Sequence, residues 1–347
     1  MRAVVYEGAG KVAIREVAKP TLEDPGDAIV RVTLAGICAT DLHAVAGHFP
    51  GMTPGAVVGH EFVGDIVALG SSVTRLRVGD HVMASDFCAC GYCHWCARGD
   101  HWECPERAFF GTGSSFGPVL SGAQAQFVRV PHAETTLAAV PAGCSDEAAI
   151  LIGDNLATGW AAIERAAVRP GETVAILGGG AVGQLASLSA QIVGAGAVLV
   201  IEPNAHRRAL AQVNGALAAA PPAATDVIGK LSRGDGADVV VEATGSTGPL
   251  RDAFDLVRKR GRIVSVGAHS SEEWPLPLAR SFARELTLTF AIGDSIRLRR
   301  QLSGLVIAGI LEPTVVVDAR IGLGATVQAY ADLREQKIMK ALVDPWI

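Results

Sequence analysis

The sequence predicts an α/β chain in two parts, a β-rich first part and a doubly wound parallel sheet behind it. Three observations carry this prediction. Up to about residue 150, short alternating or apolar runs are separated by Gly, Pro and Asp turn signals. Beyond that point continuous apolar runs alternate with helical stretches, the pattern of a parallel sheet covered on both faces. A glycine-rich turn, Gly178-Gly179-Gly180-Ala181-Val182-Gly183, follows the first of those runs.

The 347 residues are enough for two domains, each with its own core. With 49% hydrophobic and 19% charged residues the chain is globular. A formal net charge of -5 and the lack of a long basic run argue against nucleic acid as a partner. The densest basic patch, Arg297-Leu298-Arg299-Arg300, reads as a solvated helix face. The N-terminal residues have no apolar h-region, so no signal peptide is expected. The stretch 174–201 is uncharged and long enough to span a bilayer, yet a glycine triplet and four polar side chains break it. A strand, turn, helix and second strand explain it better than a membrane segment. Seven cysteines, five of them crowded together, fit a metal in a reducing compartment better than a disulfide framework. A cytoplasmic location is expected.

In the first part, strands are expected at 28–32, 62–67 and 125–130, with another after the Gly79-Asp80 turn. From 148 to 167 the apolar spacing is helical. Strand and helix then alternate: strand 173–177, helix 181–193, strand 197–202, helix 205–214, then strands at 238–242, 262–266 and 286–291. The Ala/Pro-rich stretch 216–224 reads as a surface connection. Helices at 297–308 and near 325–334 complete the chain.

The glycine turn has the context that gives a G-x-G-x-x-G run meaning. It follows an apolar strand, opens an apolar helix and is followed by Glu202 about 20 residues on. Gly178 permits the tight turn, Gly180 lets the backbone approach a pyrophosphate, and Gly183 lets helix and sheet pack closely. With Ala181 and Val182 these residues form a dinucleotide site at a helix N-terminus. Glu202 would accept from ribose hydroxyls and repel a 2′-phosphate, which favours NAD over NADP. Arg207 and Arg208 nearby work against that preference, because arginine pairs with phosphate.

Two metal sites are expected. Cys90, Cys93, Cys96 and Cys104 are spaced C-x2-C-x2-C-x7-C in one loop, a knuckle that can close a tetrahedral, structural Zn2+ site. Cys88 has no evident partner there, and Cys144 reads as a core thiol. A second site needs distant residues. Cys38 and His60 supply one sulfur and one imidazole nitrogen, with Asp154 and Glu61 as candidates for the third ligand and a fourth position left open.

These residues together resemble the zinc-containing alcohol dehydrogenases of the medium-chain dehydrogenase/reductase superfamily, along nearly the whole chain. Gly36-Ile37-Cys38-Ala39-Thr40-Asp41-Leu42-His43 resembles the family's first zinc-ligand segment, Gly59-His60-Glu61 its GHE signature, and the knuckle its structural-zinc loop. The resemblance implies a GroES-like catalytic domain at 1–152, a Rossmann domain at 153–291 and a return to the catalytic domain at 292–347. It implies Cys38, His60 and Asp154 as catalytic-zinc ligands, with Glu61 as a neighbour or alternate ligand. Aspartate at 154 resembles the bacterial secondary-alcohol dehydrogenases. Thr40 would contact the substrate oxygen, and His43 would end a proton relay. Thr158 and Val266 would join the cofactor site. Two Zn2+ per chain and NAD are thus expected, with hydride transfer between an alcohol and a ketone or aldehyde. By position, Phe87, Phe110, Ala291 and Ile292 suggest a mostly apolar pocket and hence a secondary alcohol or ketone, or an aldehyde. The alternatives are a polyol or formaldehyde-type dehydrogenase, or a zinc- and NAD-binding protein without catalysis. A homodimer or homotetramer paired along the sheet edge at 285–291 is expected.

Overall fold

A computed structural model describes residues 1–8, 10–271 and 273–347. The chain divides into two compact units, residues 1–154 with 294–347, and residues 155–293.

The second unit is a parallel sheet of six strands. In spatial order they are Leu217–Ala219, Ala197–Ile201, Thr173–Leu177, Ala237–Glu242, Val257–Ser265 and Thr287–Phe290. Numbered along the chain this is 3-2-1-4-5-6, the doubly wound Rossmann order. The apolar runs are continuous because both faces are buried. Val174, Ile176, Val239 and Val241 pack into one core layer, and Ala175, Leu177, Val240 and Ile263 into the other. The stretch 216–224 is more than a connection, since Leu217–Ala219 is the edge strand. Its three residues and lack of β-branched side chains hid it.

The first unit is built on a seven-stranded, mostly antiparallel GroES-like sheet. Strand Ala28–Ile37 is its hub, pairing with Phe62–Leu69, Phe127–Val130 and the C-terminal Ala341–Asp344. The register sets what meets at one end of this hub. Ala35 faces Phe62 and Ile37 faces Ala341, so Glu61 and Lys340 both arrive beside Cys38.

The expected helix at 148–167 is two helices, Asp146–Ile152 and Asn155–Arg165. The apolar spacing runs through the break and conceals it. Gly153 marks the break, and it lies so close to strand His81–Ala84 that a Cβ there would stand 2.4 Å from the Ala84 carbonyl oxygen. The break frees Asp154 from helical geometry and places it in the first unit. Arg299 also departs from expectation. It turns inward to the Thr136 carbonyl at 3.3 Å, and burial holds its guanidinium down to about 10. Cys144 is only half-buried and lies outside the core. Cys88 is core, and burial pushes its thiol up to about 11. No helix among the described residues is long and apolar enough to cross a membrane.

Candidate metal centres and dinucleotide site

Cys38 ends the hub strand and precedes helix Ala39–Val45. His60 and Glu61 precede strand Phe62–Leu69, and Asp154 sits at the helix break. All four are buried, and each offers a ligand atom within 4.8 Å of the others. His60 Nε2 lies 3.3 Å from Asp154 Oδ2, so two ligand atoms face one point. The opposite ring nitrogen, Nδ1, lies 2.9 Å from Asp41 Oδ1. A carboxylate behind the imidazole fixes its tautomer and aims Nε2 at a metal.

Asp41 is the organiser of this shell. Its Oδ2 accepts from the Cys38 backbone N–H at 2.9 Å and from Gln124 Nε2 at 3.1 Å. Gln124 donates also to the Gly36 carbonyl and accepts from Tyr330 of helix Thr326–Arg334. The chain Tyr330–Gln124–Asp41–His60 thus ties His60 to the C-terminal segment.

The electrostatics fit a cation. Buried Glu61, Cys38 and Asp154 all act on one buried ammonium, Lys340. Burial pulls the His60 imidazolium down, but Asp41 and Asp154 outweigh it and raise His60 well above the ordinary value. Burial raises Asp154, and the His60 bond and charge reverse this, holding its carboxyl below the usual range. The carboxylates draw a proton onto the His60 imidazole, the place where a divalent ion held by this group would supply the charge instead. The mixed set of sulfur, nitrogen and oxygen suits Zn2+.

Glu61 is turned to Lys340, whose Nζ donates to both of its carboxylate oxygens. Burial raises the Glu61 carboxyl to about 7, against the lowering effect of Lys340. On the other side Gly36 leaves it room, since a Cβ there would stand 2.1 Å from Glu61 Oε2. Phe109, not Phe110, stacks beside His60, with ring centroids 5.1 Å apart. Phe110 packs on Phe62 in the core and Phe87 on Trp102. Neighbouring residues in a strand face opposite ways, so Phe109 and Phe110 join different core clusters.

The knuckle brings Cys90, Cys93, Cys96 and Cys104 together, with ligand atoms within 4.8 Å of one another. Cys90 Sγ and Cys96 Sγ are 3.9 Å apart, close to the edge of about 3.8 Å in a tetrahedron with Zn–S of about 2.3 Å. The backbone N–H of Cys96 draws the Cys93 thiol down to about 7, favouring thiolate.

In the second unit Gly178 takes φ +96° at the end of strand Thr173–Leu177. At Gly183 a Cβ would lie 1.9 Å from the Gly178 carbonyl oxygen, so helix Ala181–Ile192 can start only with glycine there. A Cβ at Gly180 would meet nothing within 4 Å, which leaves an open cradle before the helix N-terminus. Glu202 is buried beside this turn, with Oε2 accepting from Gly179 N at 2.7 Å. Arg208 donates to the carbonyls of Glu202 and Pro203. Thr158 lies in helix Asn155–Arg165, and Val266 follows strand Val257–Ser265, its N–H donating to Glu242 O at 2.8 Å. Ala291 is buried in this unit's core, whereas Ile292 is exposed.

The family models agree with this arrangement. Residues 24–142 match the alcohol dehydrogenase GroES-like domain, and residues 181–306 match the zinc-binding dehydrogenase model. A probable zinc-binding alcohol dehydrogenase of Mycobacterium tuberculosis is 38% identical over 96% of this chain and 85% of its own length. Among solved structures, an alcohol dehydrogenase from Thermus sp. ATN1 superposes with a TM-score of 0.93 at 35% identity, covering 99% of both chains. A putative zinc-binding dehydrogenase from Sinorhizobium meliloti, bound to NADP, gives 0.85 at 28% identity, again over 99% of both chains. The chain belongs to the zinc-containing alcohol dehydrogenase family of the medium-chain dehydrogenase/reductase superfamily. It is an oxidoreductase of that family.

Proposed function

We propose that this chain is a dehydrogenase dependent on zinc and NAD that interconverts a secondary alcohol and its ketone, with one catalytic and one structural Zn2+ per chain. The observation that carries the reading is the buried Cys38, His60 and Asp154 set with Glu61 engaged by Lys340, three ligands that leave a position for substrate. Bound there, Zn2+ supplies Lewis acidity that brings an alcohol hydroxyl within reach of deprotonation near neutral pH.

The chain's own residues then move the proton. Thr40 is half-buried in the first turn of helix Ala39–Val45, two residues beyond Cys38, and its hydroxyl receives the proton. His43 lies one turn further along the same helix and hands the proton to solvent. Burial first, and then the neighbouring His48, hold His43 below the ordinary histidine value. It is therefore neutral near pH 7 and able to accept. Its Nδ1 lies 3.1 Å from His48 Nδ1. The hydride goes to the nicotinamide, whose chemistry is the cofactor's own.

Glu202 supports NAD, since a 2′-phosphate would meet its buried carboxylate. Arg208 spends one guanidinium nitrogen on the carbonyls of Glu202 and Pro203. Pairing along the edge strand Thr287–Phe290, where Phe290 is exposed, would give the homo-oligomer.

Thr40→Val keeps shape and removes the hydroxyl, so turnover should fall roughly ten-fold or more. Unchanged kinetics would remove Thr40 from the relay. The reading as a whole is tested by reduced-cofactor formation with zinc-loaded protein across primary alcohols, secondary alcohols and aldehydes, with NAD and NADP in parallel. Turnover of secondary alcohols with NAD is expected. Activity only with NADP would reverse the role given to Glu202, and no activity with two Zn2+ bound would sink the reading.

A further inference from the structure

The end of the helix that carries Thr40 and His43 brings a second histidine against the first. Helix Ala39–Val45 closes with Ala46 and then Gly47, which takes φ +83°. The N–H of Gly47 donates to the Ala44 carbonyl at 3.0 Å, and the N–H of His48 donates to the His43 carbonyl at 3.1 Å. These two bonds form a Schellman cap, in which the chain turns back over the last helical turn. Such a cap sets the second residue beyond the helix cap, here His48, against the third residue from the helix end, here His43. Apolar side chains often fill that contact. In this chain two imidazoles fill it.

The rings meet through nitrogen. His43 Nδ1 and His48 Nδ1 are 3.1 Å apart, with ring centroids at 5.4 Å and planes 41° apart. One hydrogen lies between them, so one ring donates and the other accepts. With its Nδ1 engaged, His43 has Nε2 left to receive a proton. The surroundings of the two rings differ. His43 is half-buried beside Phe49, with centroids 6.3 Å apart, whereas His48 is exposed. Burial, and then the charge of His48, disfavour the imidazolium of His43. A charge that moves outward to His48 is hydrated, so the gradient runs from the helix to water.

We propose that His48 is the outer station of the proton path, taking the proton from His43 and releasing it to solvent. This rests on the dehydrogenase reading above. In the resting pair the hydrogen sits on His43 Nδ1, and His48 Nδ1 accepts it. A proton bound at His43 Nε2 sends the Nδ1 hydrogen across to His48 Nδ1. His48 then gives the hydrogen on its own Nε2 to water or buffer. One proton enters the pair, one leaves it, and no bond to carbon changes. His48 acts through His43 and takes no part in the hydride step.

The test follows proton release in a single turnover of the zinc-loaded protein with NAD and 2-butanol, read by a pH-indicator dye in weakly buffered solution. It compares the wild type with His48→Gln and His48→Leu. Glutamine still accepts the His43 hydrogen bond but carries no proton, and leucine restores the apolar contact common in this cap. Proton release should slow about five-fold in both variants, less than the hundred-fold or more expected of a group acting on the reacting atoms. Added imidazole should restore most of the rate in the variants and leave the wild type unchanged, which a structural role would not produce. Melting temperatures should hold in His48→Gln and hold or rise in His48→Leu. Unchanged proton release in both variants, or a loss that imidazole does not repair, overturns the assignment and leaves the dehydrogenase reading standing. Slowing in His48→Leu alone also overturns it, because His48 would then only hold His43 in place. A wild type that turns over no alcohol sinks the dehydrogenase reading and this proposal with it.

Discussion

Lys340→Met is expected to destabilise the protein by about 3–5 kcal/mol at pH 8, a fall in melting temperature of roughly 10 °C. Lys340 is 1% exposed and Glu61 2%, and the ammonium contacts both carboxylate oxygens. The two enter from opposite sides of the hub strand, so removing one leaves the other with no water to turn to. The cost is that of a stranded buried charge rather than the worth of the pair. Its pH dependence has a definite sign. The folded Glu61 carboxyl already lies at about 7, above the 4.5 it has when exposed, because burial outweighs Lys340. Without Lys340 it rises further. A group raised on folding contributes its stability below the unfolded value and loses it as pH climbs through the folded one. The deficit of Lys340→Met should therefore shrink as pH falls from 8 toward 5. Lys340→Met with Glu61→Gln removes the charge and should recover most of the loss. Thermal melts across pH decide this. A single variant that melts like the wild type at pH 8, or a double variant no better than the single, would show that the pair does not bear on stability.

The same pair marks where sequence reasoning reaches its limit. Glu61 and Lys340 are separated by 279 positions, Tyr330 and Gln124 by 206, and Gln124 and Asp41 by 83. No local period or spacing encodes such meetings, because strand register makes them. Lys340 in particular reads as an ordinary charge ahead of an apolar run. What was legible had a local cause. The parallel strands show as apolar runs because both faces are buried, the glycine turn because only glycine fits against Gly178, and the knuckle because three of its ligands are spaced three residues apart with the fourth close behind. Asp41 had a local signal that went unread: it stands three residues after Cys38, where a carboxylate can accept the N–H that precedes the helix.

Cys93→Ser should reduce Zn2+ from two ions per chain to one and lower the melting temperature by roughly 10 °C or more, while turnover measured soon after purification at low temperature stays near wild type. The reason lies in what the knuckle holds. Cys93 Sγ accepts from Cys96 N at 3.5 Å, Cys90 Sγ from Cys93 N at 3.4 Å, and Cys104 Sγ from Cys90 N at 3.3 Å. Backbone N–H groups thus position the sulfurs, but four thiolates this close repel one another without a cation. A serine hydroxyl is a poor zinc ligand at neutral pH, so the site loses its closure. The loop is also an anchor. Cys90, Cys96 and Cys104 pack with Phe87, Phe109 and Ile296. His101, in the same loop, donates its backbone N–H to Asp294, which caps helix Ser295–Ile307 by accepting from Arg297 N. Release of the metal therefore loosens a helix start and the packing of Phe109, the ring beside His60, without touching a catalytic ligand. Damage should appear as a shortened half-life on heating, followed by loss of the second ion from Cys38, His60 and Asp154. Metal analysis together with the melt separates the outcomes: a variant with one ion and wild-type stability would refute the structural role of the knuckle, and immediate loss of turnover at full stability would move the knuckle into the chemistry.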